Sequence, residues 1–171
     1  MNKNLKLKLR KIKLLALDFD GVMTDGFVYV DQNGLETVKC SRKDGLGITM
    51  IKRVGIQLCV LSTETNPVIQ KRCDKLQIPC IRNIQSSEKK LDMLKKFMKR
   101  KKIKWEEVAY MGDDLNDSVV FRYVGISITV SDGHQLLKKK AHYITEAPGG
   151  QHALREICEL ILEAKGVPLH F

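Results

Sequence analysis

Short apolar runs alternate along the chain with amphipathic stretches. Leu14–Asp18, Ile56–Leu61, Val108–Met111 and Gly125–Ile128 read as buried strands, with shorter ones at Cys80–Arg82 and Tyr143–Ile144. Between them lie helical patterns. Asp44–Val54 puts Leu46, Met50, Ile51 and Val54 on one side, Asn66–Leu76 carries Pro67 in its first turn, and Ser87–Lys101 opens on Ser87 as its cap. Asp114–Tyr123, a helix near Gln135–Lys139 and an amphipathic Gln151–Ala164 complete the series. A hairpin interrupts it. Phe27–Val30 and Glu36–Cys40 flank Asp31-Gln32-Asn33-Gly34, and Asn-Gly between two such runs predicts that turn.

Strand–helix alternation of this kind predicts an α/β fold, a Rossmann-like parallel sheet with helices on both faces. The hairpin, at about residues 26–41, should project from it. The 171 residues are read as one domain, 1–171, with no linker or repeat. A chain that is 43% hydrophobic and 29% charged is globular rather than disordered. Its apolar runs are too short to span a bilayer. The segment Met1–Lys13 lacks the unbroken apolar stretch of a signal peptide, so a cytoplasmic protein with no membrane partner is expected. Five cysteines without a CxxC pair argue against a disulfide framework or zinc site. Net charge is +10, concentrated in Lys3–Lys13, Lys89–Lys104 and Lys138–Lys140. No stacking aromatics or nucleic-acid motif accompany these runs, so they read as solvated faces and no nucleic-acid partner is expected.

Two acidic clusters follow apolar strands: Asp18-Phe19-Asp20-Gly21-Val22-Met23-Thr24-Asp25 and Gly112-Asp113-Asp114-Leu115-Asn116-Asp117. Carboxylates at i and i+2 face one site if the backbone turns between them, and Gly21 permits that turn. In open parallel sheets ligands bind beyond the carboxyl ends of the strands, which puts Asp18, Ser62 and Asp113 on one rim. Magnesium takes oxygen ligands, so carboxylates from two strand ends suit it beside a phosphate, where it offsets repulsion between an anionic nucleophile and an anionic phosphoryl group. A lone DxD is more often a cap or turn; two such clusters after two strands are not explained that way.

These residues resemble the haloacid dehalogenase superfamily, whose opening motif DxDGx[TV] is matched by Asp18–Val22. The resemblance covers nearly the whole chain. It implies Asp18 as a nucleophile that forms an aspartyl phosphate, and Asp20 as the general acid/base. It implies Mg2+ held by the Asp18 carboxylate, the Asp20 backbone carbonyl and Asp113, with Asp114 and Asp117 supporting them and Asp117 an alternative ligand. Phosphate would meet Ser62, with Thr63 the adjacent competitor, the turn at Gly21, and a lysine. Lys89 and Lys90 both qualify, and spacing to Gly112-Asp113 favours Lys90.

The hairpin, Ser41–Gly47 and Ala147-Pro148-Gly149-Gly150 resemble the capless branch of that superfamily, which acts on phosphates of 2-keto-3-deoxy sugar acids. The branch implies a homotetramer in which a neighbouring subunit, not a cap domain, covers each site. The loop Ser41–Gly47 would then contact the sugar acid through Ser41, Arg42, Lys43, Asp44 and Gly45, and Arg72 would face its carboxylate or a neighbouring subunit. Ser62-Thr63-Glu64 stands where the enzymes for eight-carbon octulosonate 8-phosphate carry Thr-Gly-Arg. Glu64 resembles enzymes for nine-carbon nonulosonate 9-phosphates, so that substrate is placed slightly ahead, with Glu64 expected to meet a hydroxyl, an amine, Lys75 or Arg72. An alternative is a non-catalytic relative serving as an oligomerisation module. Such relatives lose the acidic motifs, which this chain keeps at Asp18, Asp20, Asp113 and Asp117.

Overall fold

The computed structural model describes residues 2–169. Six parallel strands form the sheet: β1 (Leu14–Leu17), β4 (Gln57–Leu61), β5 (Cys80–Ile81), β6 (Val108–Gly112), β7 (Ile126–Thr129) and β8 (Tyr143–Ile144), in the order β5-β4-β1-β6-β7-β8. β1 is central. Leu14–Leu17 pair with Gln57–Val60 on one side and with Val108–Met111 on the other. All four β1 residues are buried, as expected of a strand covered on both faces.

The period of two divides the apolar residues into two layers. Leu15 and Leu17 share a core with α1 (Lys3–Lys11), α2 (Arg42–Arg53), α3 (Pro67–Leu76) and α7 (Ala153–Lys165). Leu14 and Ala16 pack on the other face against α4 (Ser87–Lys101), α5 (Ser118–Phe121) and α6 (Gln135–Lys138). The predicted α/β architecture is the one observed, with no cap domain among the described residues.

Several details differ from expectation. The lysine-rich start of the chain is helix α1, capped by Asn2 and held by buried Leu9; Met1 lies outside the described residues. Ser86, not Ser87, caps α4, its Oγ accepting from the Lys89 N–H at 3.2 Å. The predicted helix after Asp114 is split into a 3-10 turn at Leu115–Asp117 and the short α5. The hairpin is β2 (Thr24–Val30) against β3 (Glu36–Cys40), a separate two-stranded sheet. Its turn is wider than two residues. Asp31 Oδ1 accepts from the Asn33 and Leu35 N–H groups, and Gly34 takes φ +77°. Phe27 and Tyr29 on it are 70% and 58% exposed.

Candidate active site

Parallel pairing sets the rim. The Asp18 N–H donates to the Met111 carbonyl at 2.9 Å, so β1 ends beside β6 and Asp18 and Asp113 leave the sheet next to each other. After Asp18 the chain turns back, with the Met23 N–H donating to the Phe19 carbonyl at 2.8 Å. Gly21 in this turn has φ +70°, and a Cβ there would fall 2.0 Å from Asp113 Oδ2. Only glycine lets the two acidic segments approach this closely.

Beneath them lies Lys90, fully buried. Its Nζ is 2.7 Å from Asp18 Oδ2 and 2.7 Å from Asp117 Oδ1. Asp117 Oδ1 also accepts from the Tyr110 hydroxyl at 2.6 Å, and its Oδ2 from the Asp113 N–H at 3.1 Å. Asp18 Oδ1 accepts from the Phe19 N–H at 2.7 Å. Both Asp18 oxygens are therefore oriented by donors. Lys89 is exposed and turns away to Gln85. Tyr110 was not singled out from the sequence, where a tyrosine inside an apolar strand reads as core.

Charge crowding marks the groups. Burial, then the Asp117 charge, push the Asp18 carboxyl well up, and Lys90 opposes them. Burial works against the Lys90 ammonium, but Asp18 and Asp117 outweigh it and raise its pKa. Burial, then Asp117 and Asp114, raise Asp113 to about 7. Asp20 is raised by burial, then by Glu64 and Glu36.

A cavity of about 370 Å³ opens over this rim. Asp18, Asp20, Asp113 and Asp114 form its floor and Thr63, Glu64, Asn66, Val68 and Ile69 one wall, while Gly26, Val28, Glu36 and Val38 of the hairpin form another. Its lining holds six carboxylates and no Lys or Arg. Ser62 is 1% exposed and sits behind Thr63, its Oγ accepting from the Glu64 N–H at 3.1 Å. Asp114 accepts from the Leu115 N–H and caps the turn that carries Asp117. Glu36, Asn66 and Asn116 line the cavity and were not singled out from the sequence as site residues. Their signal was weak, because placing Glu36 requires knowing where the hairpin folds.

One expectation needs correction within the protomer, and the structure also places Arg72 and Glu64. Ser41, Arg42, Lys43, Asp44 and Gly45 form the cap and first turn of α2 rather than a loop, and they do not line this cavity. Asp44 is 2% exposed, and its Oδ1 accepts from the Arg155 N–H at 2.8 Å, tying α2 to α7. Ser41, Arg42 and Lys43 line a separate cleft with Lys39, Gly150 and His152. Arg72 donates to the Ser41 carbonyl at 2.8 Å and is likewise outside the cavity. Glu64 is exposed and makes no ion pair with Arg72 or Lys75 among the described residues.

The donor set fits a magnesium ion. Asp18, Asp113 and Asp117 each offer a carboxylate oxygen within 4.8 Å of the others, all hard ligands, and the missing Cβ at Gly21 leaves Asp113 its place.

The family model for haloacid dehalogenase-like hydrolases matches residues 48–149, which include Ser62, Lys90, Asp113 and Asp117. The 3-deoxy-D-manno-octulosonate 8-phosphate phosphatases of Salmonella typhi and Escherichia coli K12 are 37% and 38% identical over 93% of this chain and 84% of theirs. The chain belongs to the haloacid dehalogenase-like hydrolases. It is a phosphatase of that family, a phosphoric monoester hydrolase. Among solved structures, the Yersinia pestis octulosonate 8-phosphate phosphatase superposes with a TM-score of 0.93 at 34% identity, covering 97% of this chain and 89% of that one. The Moraxella catarrhalis enzyme, determined with magnesium, phosphate and KDO, gives 0.90 at 34% identity, covering 96% and 94%. No helix among the described residues is long and apolar enough to cross a membrane.

Proposed function

We propose that this phosphatase hydrolyses the terminal phosphate monoester of a 2-keto-3-deoxy sugar acid, with 3-deoxy-D-manno-octulosonate 8-phosphate as first substrate. The observation that carries the chemistry is Lys90, buried between Asp18 and Asp117 beside Asp113. The likeness to octulosonate 8-phosphate phosphatases over most of the chain supports the eight-carbon acid. Glu64 favours a second reading, a nonulosonate 9-phosphate, since it puts an acid in the cavity wall at the position where the resemblance implies Arg for octulosonate enzymes.

Asp18 attacks phosphorus and becomes the aspartyl phosphate, a mixed anhydride, as the bond from phosphorus to the sugar oxygen breaks. Its two oxygens are held by the Phe19 N–H and Lys90, which fixes the angle of attack. Asp20 gives its proton to the leaving sugar oxygen and later takes one from the water that attacks phosphorus of the aspartyl phosphate, which frees the Asp18 carboxylate and releases inorganic phosphate. Burial and the charges of Glu64 and Glu36 suit it to hold that proton. Ser62, the turn at Gly21 and Lys90 serve the phosphoryl oxygens. Asp18, Asp113 and the Asp20 carbonyl would hold Mg2+, with Asp114 and Asp117 fixing the segment, and the ion would offset the negative charge of the approaching phosphate.

A cavity of six carboxylates without a Lys or Arg also needs cations to receive a sugar acid. A neighbouring copy can supply them. Lys39, Arg42 and Lys43 are exposed at the cleft beyond the hairpin, and the hairpin presents an exposed apolar face. This supports an assembly with shared sites, which we propose is a homotetramer, and the protein is proposed to be cytoplasmic. The test is magnesium-dependent phosphate release compared on octulosonate 8-phosphate and nonulosonate 9-phosphates. A preference for the nine-carbon acids would reverse the substrate order, and no turnover of either would overturn the sugar-acid assignment.

A further inference from the structure

Asn66 uses both ends of its side-chain amide. Its Oδ1 accepts from the Val68 N–H at 2.9 Å and caps α3, while its Nδ2 donates to Glu36 Oε2 at 2.6 Å. Glu36 is the first residue of β3. Among the described residues this is the only side-chain hydrogen bond from residues 26–40 to anything outside the hairpin. The Asn66 end is firm, because Arg82 Nη1 donates to the carbonyls of Thr65 at 2.6 Å and Asn66 at 3.2 Å. The hairpin end is not. Its apolar residues Phe27, Tyr29, Val30 and Leu35 are exposed, and only Val38 and Cys40 of β3 pack on the core. Contacts between copies on that apolar face would hold the hairpin to a neighbour, but within the protomer its position against α3 rests on these few anchors. Where it rests matters, since Gly26, Val28, Glu36 and Val38 make one wall of the cavity.

We infer that the Glu36–Asn66 hydrogen bond is a latch that holds the hairpin against α3 and closes the cavity wall. Glu36 and Asn66 are positioning residues for substrate binding. The kinetic consequence rests on the phosphatase reading, but the latch itself is a property of the substrate-free protein.

Four proteins test it: wild type, Asn66→Asp, Glu36→Gln and the double variant. Asp caps a helix as well as Asn, so Asn66→Asp keeps α3 while removing the donor and opposing two carboxylates. Its KM for octulosonate 8-phosphate should rise about five- to tenfold with kcat within about twofold, the size of one lost hydrogen bond plus like-charge contact. Amides of residues 24–40 should exchange with deuterium faster without substrate. In Glu36→Gln the new amide oxygen still accepts from Asn66, so hairpin exchange should stay close to wild type, while kcat falls because Asp20 loses one of the charges that raise it. In the double variant the amide introduced on β3 donates to the carboxylate introduced at the head of α3, so exchange should return to the wild-type rate and KM should fall below that of Asn66→Asp. Unchanged exchange in Asn66→Asp would refute the latch, even with a raised KM, since charge repulsion alone would then explain that rise. Failure of the double variant to restore exchange would refute it too. If wild type turned over no sugar-acid phosphate, the substrate reading would fall and exchange would still decide the latch.

Discussion

Lys90 Nζ lies 2.7 Å from Asp18 Oδ2 in a fully buried position. A buried ammonium is tolerable only with compensating charge, and here it also meets Asp117 at 2.7 Å. Function and stability therefore converge on one side chain. Lys90→Met removes the cation and leaves two crowded carboxylates. It should lose phosphatase activity and about 3–5 kcal/mol of stability at neutral pH, read by urea unfolding. Lowering the pH should return part of that stability as the carboxylates protonate.

Tyr110 donates to the same Asp117 oxygen. Tyr110→Phe keeps the ring in its pocket and removes one of Asp117's donors. The expected cost is about 1–2 kcal/mol of stability, with kcat reduced less than about tenfold, because Lys90 and the Asp113 N–H still orient Asp117. Paired unfolding and kinetic measurements check it.

Asp113 is held at about 7, against 3.8 for an ordinary Asp. The native metal-free protein keeps a proton there that the unfolded chain releases near 3.8, so this group lowers stability as pH climbs from that value to about 7. Magnesium needs the ionised carboxylate. Its affinity should rise by up to about tenfold per pH unit below the Asp113 pKa and level off above it, as titration calorimetry at several pH values would show.

Gly21 tests the close approach of the two acidic segments. In Gly21→Ala the new Cβ would fall 2.0 Å from Asp113 Oδ2 at φ +70°, so the Asp113 carboxylate or the turn must move. Magnesium affinity should fall at least about tenfold while the circular dichroism spectrum is retained.

Much of this was legible in the sequence, because strand ends fix where acids go. Apolar runs ending at Asp18 and at Gly112-Asp113 are enough to place both carboxylates on one rim, whereas the choice of Lys90 over Lys89 comes from the family resemblance and its place beneath them only from the structure. Buried partners were not legible. Tyr110 reads as core until its hydroxyl is seen on Asp117, and Ser41–Gly45 reads as a loop although Ser41 caps a helix and Asp44 ties it to α7. The role of Glu36 depends on how a hairpin packs, which alternation along the chain does not encode. The segment Met1–Lys13 reads as basic residues alternating with Leu and Ile, yet Lys3–Lys11 is a helix, because Leu5 and Leu9, one turn apart, pack on the core shared with α7.

The whole mechanism depends on Asp18 acting as the nucleophile. Magnesium-dependent phosphate release from octulosonate 8-phosphate should be measured for wild type and Asp18→Asn, with the fold of the variant verified by its unfolding curve. Wild type should turn over, and the variant should lose at least about a thousandfold in rate. A folded Asp18→Asn protein that releases phosphate at the wild-type rate would show that another group attacks phosphorus.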